Sequence, residues 1–253
     1  LAGFLLSSLP GQAAVLTPVI RRAYDHYAQL TEARMEEELA RGVYLWIDAE
    51  PALRDERYGR LRRGEVFVEK LVTKDHGRPI RAPGAIIHHY VALLFVPGVS
   101  LAKTLSLVHD YDNYARYYAP DVVACRLLES RTDGGRIALR IYQKKGLSAT
   151  VDTEQAFEYK RLDASRHVSR ARTTKVQEVG RSGEDRGFLW ASNSYRRYWE
   201  KDGGTYIQIE GVSLSRDAPL ALGWLVNRFI SSVHKDFLLH MIENTRRALS
   251  AAP

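Results

Sequence analysis

Sulfur is scarce in this chain of 253 residues, which has two methionines and one cysteine, Cys125. A single cysteine excludes an internal disulfide and any cysteine-rich zinc site. Cys125 lies in an apolar, strand-like context and reads as a packing thiol rather than a nucleophile. His26, His76, His167, His234 and His240 show no HExxH-type spacing, so no metal is expected. GxSxG, GxxxxGKS/T and a GxGxxG after a strand are all missing, as is a Cys–His pair with a family spacing. Nothing therefore marks a nucleophilic triad or a phosphate-cradling loop, and no cofactor is expected. Repeats and low-complexity tracts are absent too. Beyond the N-terminus no run approaches the ~18 apolar residues of a membrane-spanning helix.

What is present is ordinary for a globular protein: 45% hydrophobic and 26% charged residues. The net charge of +7 suits an anionic ligand or transient contact with a negatively charged membrane surface. Nucleic acid is not an expected partner, because acidic residues are spread among the arginines and tyrosines. The opening segment, LAGFLLSSLPGQAA, is apolar and places Gly11 and Ala13 at −3 and −1 of a cleavage before Ala14. It reads as the tail of a secretory signal over residues 1–13, which implies a periplasmic or secreted protein, the alternative being a cytoplasmic one.

Thr17 is a suitable cap for a helix starting at Pro18, with a stripe of Val19, Ala23, Tyr27, Leu30, Arg34 and Glu38 and a stop at Gly42. The segment from Leu53 to Glu65 reads as a surface helix carrying Arg54, Arg57, Arg60, Arg62 and Arg63. Glu65–Thr73 alternates as a strand, and the Pro- and Gly-bearing loop KDHGRPIRAPG then separates this 14–84 extension from the rest. Beyond it come a strand, Ile86–Val96, and a helix from Leu101 to about His109 capped by Ser100. A second helix runs from Asp110 through Tyr118. Strands follow over Arg136–Gln143, Leu147–Tyr159, Ser165–Val179, Phe188–Glu200 and Thr205–Ser213, punctuated by Asp133-Gly-Gly and Asp202-Gly-Gly. Asp217 or Ala218 precedes Pro219 at the start of a long closing helix. Its apolar face takes in Leu222, Leu225, Val226, Phe229, Val233, Phe237, Leu238, Met241, Ile242 and Leu249.

Three stretches in this order carry a resemblance: Val96-Pro97-Gly98 ending the first strand, Asp110–Tyr114 followed by Tyr117–Val122, and Ser213–Pro219 leading into the last helix. Over residues 85–253 the chain resembles the START-like superfamily, the helix-grip proteins that include polyketide cyclases, plant pathogenesis-related proteins and lipid-transfer domains. The resemblance implies an α+β fold, in which a curved antiparallel sheet wraps a long C-terminal helix, here with an N-terminal helical extension. It also implies a cavity between sheet and helix.

Candidate cavity residues follow from strand alternation. His89 shares parity with Ile87, Val91, Leu93 and Phe95 and is expected to face inward. Gln155 lies on the apolar side of its strand with Val151, Thr153, Phe157 and Tyr159. Trp190, Arg196 and Tyr198 share one face with Ser192 and Ser194; the opposite register remains open. Arg170 and Arg172 either reach the cavity, where they would bind a carboxylate or phosphate, or decorate a solvated convex face. Tyr118, with Tyr111, Tyr114 and Tyr117, borders the expected mouth. The resulting expectation is a protein that binds, and in one version transports, a hydrophobic or lipid-like small molecule. The alternative is a cyclase/aromatase- or hydrolase-type enzyme using His89, Tyr198, Glu178 or Arg196. A third reading makes residues 14–84 a docking element. The sequence sets no oligomeric state.

Overall fold

The computed structural model describes residues 16–145, 147–179, 189–217 and 223–251. The signal reading at 1–13, Phe188, and the lead-in to the last helix from Ala218 to Leu222 lie outside the described residues.

Thr17 caps α1 (Pro18–Ala40), its hydroxyl accepting from the Ile20 N–H at 3.3 Å. The buried side of α1 is Ile20, Tyr24, Tyr27, Ala28, Thr31, Met35 and Glu38, which shares Tyr27 and Glu38 with the expected stripe and otherwise lies about one residue round from it. Val19 is 54% exposed. The reason is that polar-tipped residues fill the contact and find partners there: the Tyr24 hydroxyl donates to the Val212 carbonyl at 2.9 Å, and Thr31 donates to Tyr27. A single 3₁₀ turn at Trp46–Ala49 precedes α2 (Pro51–Arg62), the expected arginine-bearing helix. Its arginines serve the protein itself. Arg57 lies over Trp46 at 4.8 Å, Arg60 lies over Phe67 at 4.7 Å, and both also pair with glutamates.

The strand expected at Glu65–Thr73 is shorter, β1 (Phe67–Lys70), and a minimal hairpin follows, β2 (Lys74–Asp75) with β3 (Arg78–Pro79). Next come β4 (Ala85–Pro97), α3 (Leu101–Val108), capped by Ser100, and a short turn leading to α4 (Tyr114–Tyr117). Five more strands complete a meander: β5 (Val122–Arg131), β6 (Gly134–Lys145), β7 (Leu147–Arg161), β8 (Arg166–Val179) and β9 (Ala191–Lys201). Then β10 (Gly204–Arg216) returns to pair with β4, and α5 (Gly223–Ala251) closes the chain. The eight-stranded antiparallel sheet runs β1-β4-β10-β9-β8-β7-β6-β5 and does not close. The Asp202-Gly203 turn has positive φ at both residues, +57° and +75°, as a tight hairpin requires. Gly204 beside it has no room for a side chain: a Cβ there would lie 2.3 Å from the Val96 carbonyl oxygen.

Both faces of the sheet are covered. On the inner face Tyr90, Ala92, Leu94 and Val96 of β4 pack with α3, α4 and with Leu238, Ile242 and Leu249 of α5. On the outer face Leu93, Phe95 and Tyr206 pack against Tyr44, Leu45, Ile47, Tyr58 and Leu61. Alongside them Tyr195, Val212 and Leu214 pack against α1. Residues 16–84 therefore cover the outer face of the β4–β10–β9 half. Being buried on both sides, β4 reads as an almost unbroken apolar run instead of an alternation.

This coverage corrects the expectation for His89, which points to the outer face. A buried chain runs through it. The Thr73 N–H donates to the Tyr27 hydroxyl at 2.8 Å, and Tyr27 Oη meets His89 Nδ1 at 2.9 Å. His89 Nε2 meets Glu210 at 2.7 Å. The Glu210 carboxylate accepts, so His89 Nε2 carries a proton and donates it there. Arg34 also pairs with Glu210, and Arg197 reaches Glu38 at 3.0 Å. Burial alone would raise the Glu210 carboxyl, but the His89 hydrogen bond and the Arg34 charge hold it below its ordinary value. Shared parity with apolar neighbours could not separate the two faces of β4, because both carry apolar residues.

Candidate ligand-binding cavity

Helix α5 rests mainly on β4 and β10. The sheet continues past it through β9, β8, β7 and β6, leaving a cavity of about 270 Å³ between them. One wall is apolar: Ile137, Leu139, Val151 and Phe157 from the sheet, with Val233, Phe237, Leu238 and Met241 from α5. The floor is the inner face of β9, where Ser192, Ser194, Arg196 and Tyr198 point into the space. The central row of that floor is made of small residues. Ser194 lies between Ala171 of β8 and Gly211 of β10, and a Cβ on Gly211 would meet only Leu238, at 3.9 Å.

Arg196 dominates one end. It is half-buried, with its accessible part on the cavity, and among the described residues it makes no ion pair or hydrogen bond. Around it stand Tyr111, Tyr114, Tyr118 and Tyr198, close enough to interact electrostatically with the guanidinium. Tyr111 and Tyr114 pack at 5.3 Å, and Tyr114 and Tyr118 at 5.0 Å. His109 stacks on Tyr159 at 4.7 Å, and burial together with the Arg196 charge lowers its pKa. His167, just behind, is pushed down to about 4 by burial and by His109, and its buried Nε2 has no hydrogen-bond partner among the described residues. An uncompensated buried cation is costly, so an anion placed at this end would be stabilised.

At the other end the described lining residues are polar and uncharged. Ser213 Oγ lies 2.9 Å from His234 Nδ1, and both residues line the cavity. His234 stacks on His88 at 4.0 Å between ring centres, and His88 Nε2 meets Ser215 Oγ at 2.7 Å. Burial holds His234 down to about 4. Burial and the neighbouring His234 hold His88 down to about 2, so both imidazoles are uncharged near neutral pH. Between the ends, the Ser194 hydroxyl is buried without a hydrogen-bond partner among the described residues.

Of the residues singled out from the sequence, Gln155, Arg196 and Tyr198 line the cavity together. Tyr118 is buried beside it, its hydroxyl 3.2 Å from Thr245 of α5. Arg170 borders the cavity, but its guanidinium pairs with Glu158 at 2.6 Å. Arg172 pairs with Glu32 of α1 on the outer face, and Trp190 packs there beside Ala191 and Tyr195. The outward turn of Arg170 and Arg172 follows from β8 alternation, with Glu32 of α1 supplying a carboxylate to Arg172, whereas Trp190 precedes β9 and so escapes the parity that puts Ser192, Ser194 and Arg196 on the cavity side. Sequence reading missed His109, Ser213 and His234. His234 lies four residues before Leu238 on the apolar face of α5, the one spacing that could have flagged it. Cys125 is half-buried with its thiol pushed up to about 12, chiefly by burial, and is unreactive. Among the described residues no group of three or more His, Cys, Asp or Glu side chains is placed to hold a metal ion.

No protein-family model matches the sequence, and no curated protein matches it. Solved structures do match. The STAR-related lipid transfer protein of Xanthomonas axonopodis superposes with a TM-score of 0.50 at 14% identity, over 72% of this chain and 98% of that one. An aromatase/cyclase, Zhui, from Streptomyces sp. R1128 gives 0.49 at 13% identity, over 65% and 94%. Human STARD10 gives 0.47 at 10% identity, over 79% and 80%. The likeness to the first of these shows the fold: the chain has the helix-grip architecture of START-like proteins.

Proposed function

We propose that the protein binds a hydrophobic small molecule carrying a negatively charged group, with its apolar body against the α5–β6–β7 wall and its anion on Arg196. The observation that carries this reading is Arg196, a cation facing an apolar cavity with no counter-charge among the described residues. Arginine suits a carboxylate or phosphate, which it meets with paired hydrogen bonds. The fold supports the same reading, since the superposed Xanthomonas axonopodis protein is described as a lipid transfer protein. Burial of the apolar body supplies affinity and the guanidinium sets orientation. The test is native mass spectrometry of the purified protein, followed by solvent extraction. An amphipathic acid or phosphate that co-purifies with the wild type and is lost from Arg196→Met supports the reading. Wild-type protein that is empty and also indifferent to added dodecanoate refutes it.

One observation favours a second reading, a hydrolase-type enzyme: Ser213 and His234 form a hydroxyl–imidazole pair within hydrogen-bond reach inside the cavity. Release of p-nitrophenol from p-nitrophenyl laurate, abolished in Ser213→Ala, is its signature. A rate no higher than that of the uncatalysed reaction eliminates it.

A further inference from the structure

The cavity has a second polar end, and the two are held at a fixed spacing. Arg196, Ser194 and Ser192 alternate along the cavity side of β9. At the rise of an extended strand, Ser194 stands about 7 Å and Ser192 about 13 Å from Arg196. Ser192 is paired across the sheet with Ser213, whose hydroxyl meets His234 at 2.9 Å. Midway, Ala171 and Gly211 flank the unpartnered Ser194 hydroxyl and keep the floor low. The facing wall is hydrocarbon.

We infer that the ligand is two-ended: an elongated amphipathic acid, with its anion on Arg196 and a neutral hydroxyl or carbonyl group in the Ser192–Ser213–His234 corner. This deepens the reading of an anion-binding cavity and rests on it. The far group is neutral because, among the described residues, Ser192, Ser213 and His234 offer this corner hydrogen bonds and no charged side chain. A serine hydroxyl has one donor and two acceptor positions, so Ser213 keeps capacity for a ligand after bonding His234. A ligand with a plain methyl end would leave the spare hydrogen-bonding capacity of Ser192 and Ser213 facing hydrocarbon, a loss that a ligand oxygen removes. A ligand anionic at both ends would press charge against imidazoles that burial keeps uncharged.

Calorimetric titration of the full chain with dodecanoate and with ω-hydroxydodecanoate tests this. The expected result is that the hydroxy acid binds about tenfold more tightly, the effect of one well-placed neutral hydrogen bond. That ratio falls toward one in Ser192→Ala and Ser213→Ala. Equal affinity of the two acids for the wild type overturns the inference while leaving the anion-binding reading in place. An advantage that persists in both serine variants overturns it as well. Failure of both acids to bind removes the two together. Should either variant misfold, the wild-type ratio decides.

Discussion

Replacing Arg196 with methionine separates a binding residue from a structural one. Methionine keeps the length and most of the volume of the aliphatic stem and removes the charge. In the empty protein Arg196 has tyrosines for neighbours and, among the described residues, no carboxylate. Exchanging a poorly compensated buried charge for an apolar side chain of similar size is typically neutral or stabilising by about 1–4 kcal/mol. Arg196 is partly accessible from the cavity, so the lower half of that range applies, about 2 kcal/mol. For a chain of this size that is a rise in Tm of about 4–8 °C. Binding moves the other way. A charge-assisted hydrogen bond contributes about 1.5–3 kcal/mol, so Arg196→Met should weaken dodecanoate about 10- to 100-fold. Its effect on methyl dodecanoate should be much smaller. The assays are differential scanning calorimetry without ligand and calorimetric titration with the two compounds. A variant that melts lower than the wild type and still prefers the acid would refute the argument, because Arg196 would then be paired in the fold and irrelevant to the ligand.

Other expectations follow from the same geometry. His88, His167 and His234 are held below the ordinary histidine value of 6.5, to about 2, 4 and 4. The unfolded chain therefore binds more protons than the folded one below pH 6.5. Stability is complete above that pH and falls as pH drops toward 4, at up to about 1.4 kcal/mol per pH unit for the fully buried His88; urea midpoints that stay constant between pH 7 and pH 5 would contradict this. Tyr27→Phe strands the Thr73 N–H and His89 Nδ1 in the core and should cost about 3 kcal/mol, measured by chemical denaturation, whereas a loss below ~0.5 kcal/mol would mean that water or a rearrangement satisfies both groups. Gly204→Ala forces a Cβ against Val96 and Phe95 and should cost about 3 kcal/mol or fail to give soluble protein; a wild-type melting curve would show that the hairpin yields freely.

The architecture was legible in the sequence because its signals are local. Period-two alternation marked β6 to β10, Asp202-Gly203-Gly204 marked a tight turn, Ser100 and Thr17 marked helix caps, and the apolar stripe through Leu238 and Ile242 marked the closing helix. Alternation also grouped Ser192, Ser194, Arg196 and Tyr198 on one face of β9, since a strand cannot place residues of one parity on both sides. Which face meets the cavity was a tertiary decision. A sheet covered on both sides offers two apolar faces. Only the docking of α1 and α2 on one, and of α5 on the other, turned His89 and Arg172 outward and Arg196 inward. The pairing of Ser213 with His234, and the lack of a partner for Arg196 among the described residues, depend on where α5 lies across the sheet. Residue spacing carries no information about that crossing. The sequence by itself thus determined the elements and their order, through local propensity and period. The tertiary structure alone decided the chemistry of the cavity, because that chemistry depends on which charges are left without partners once the layers have packed.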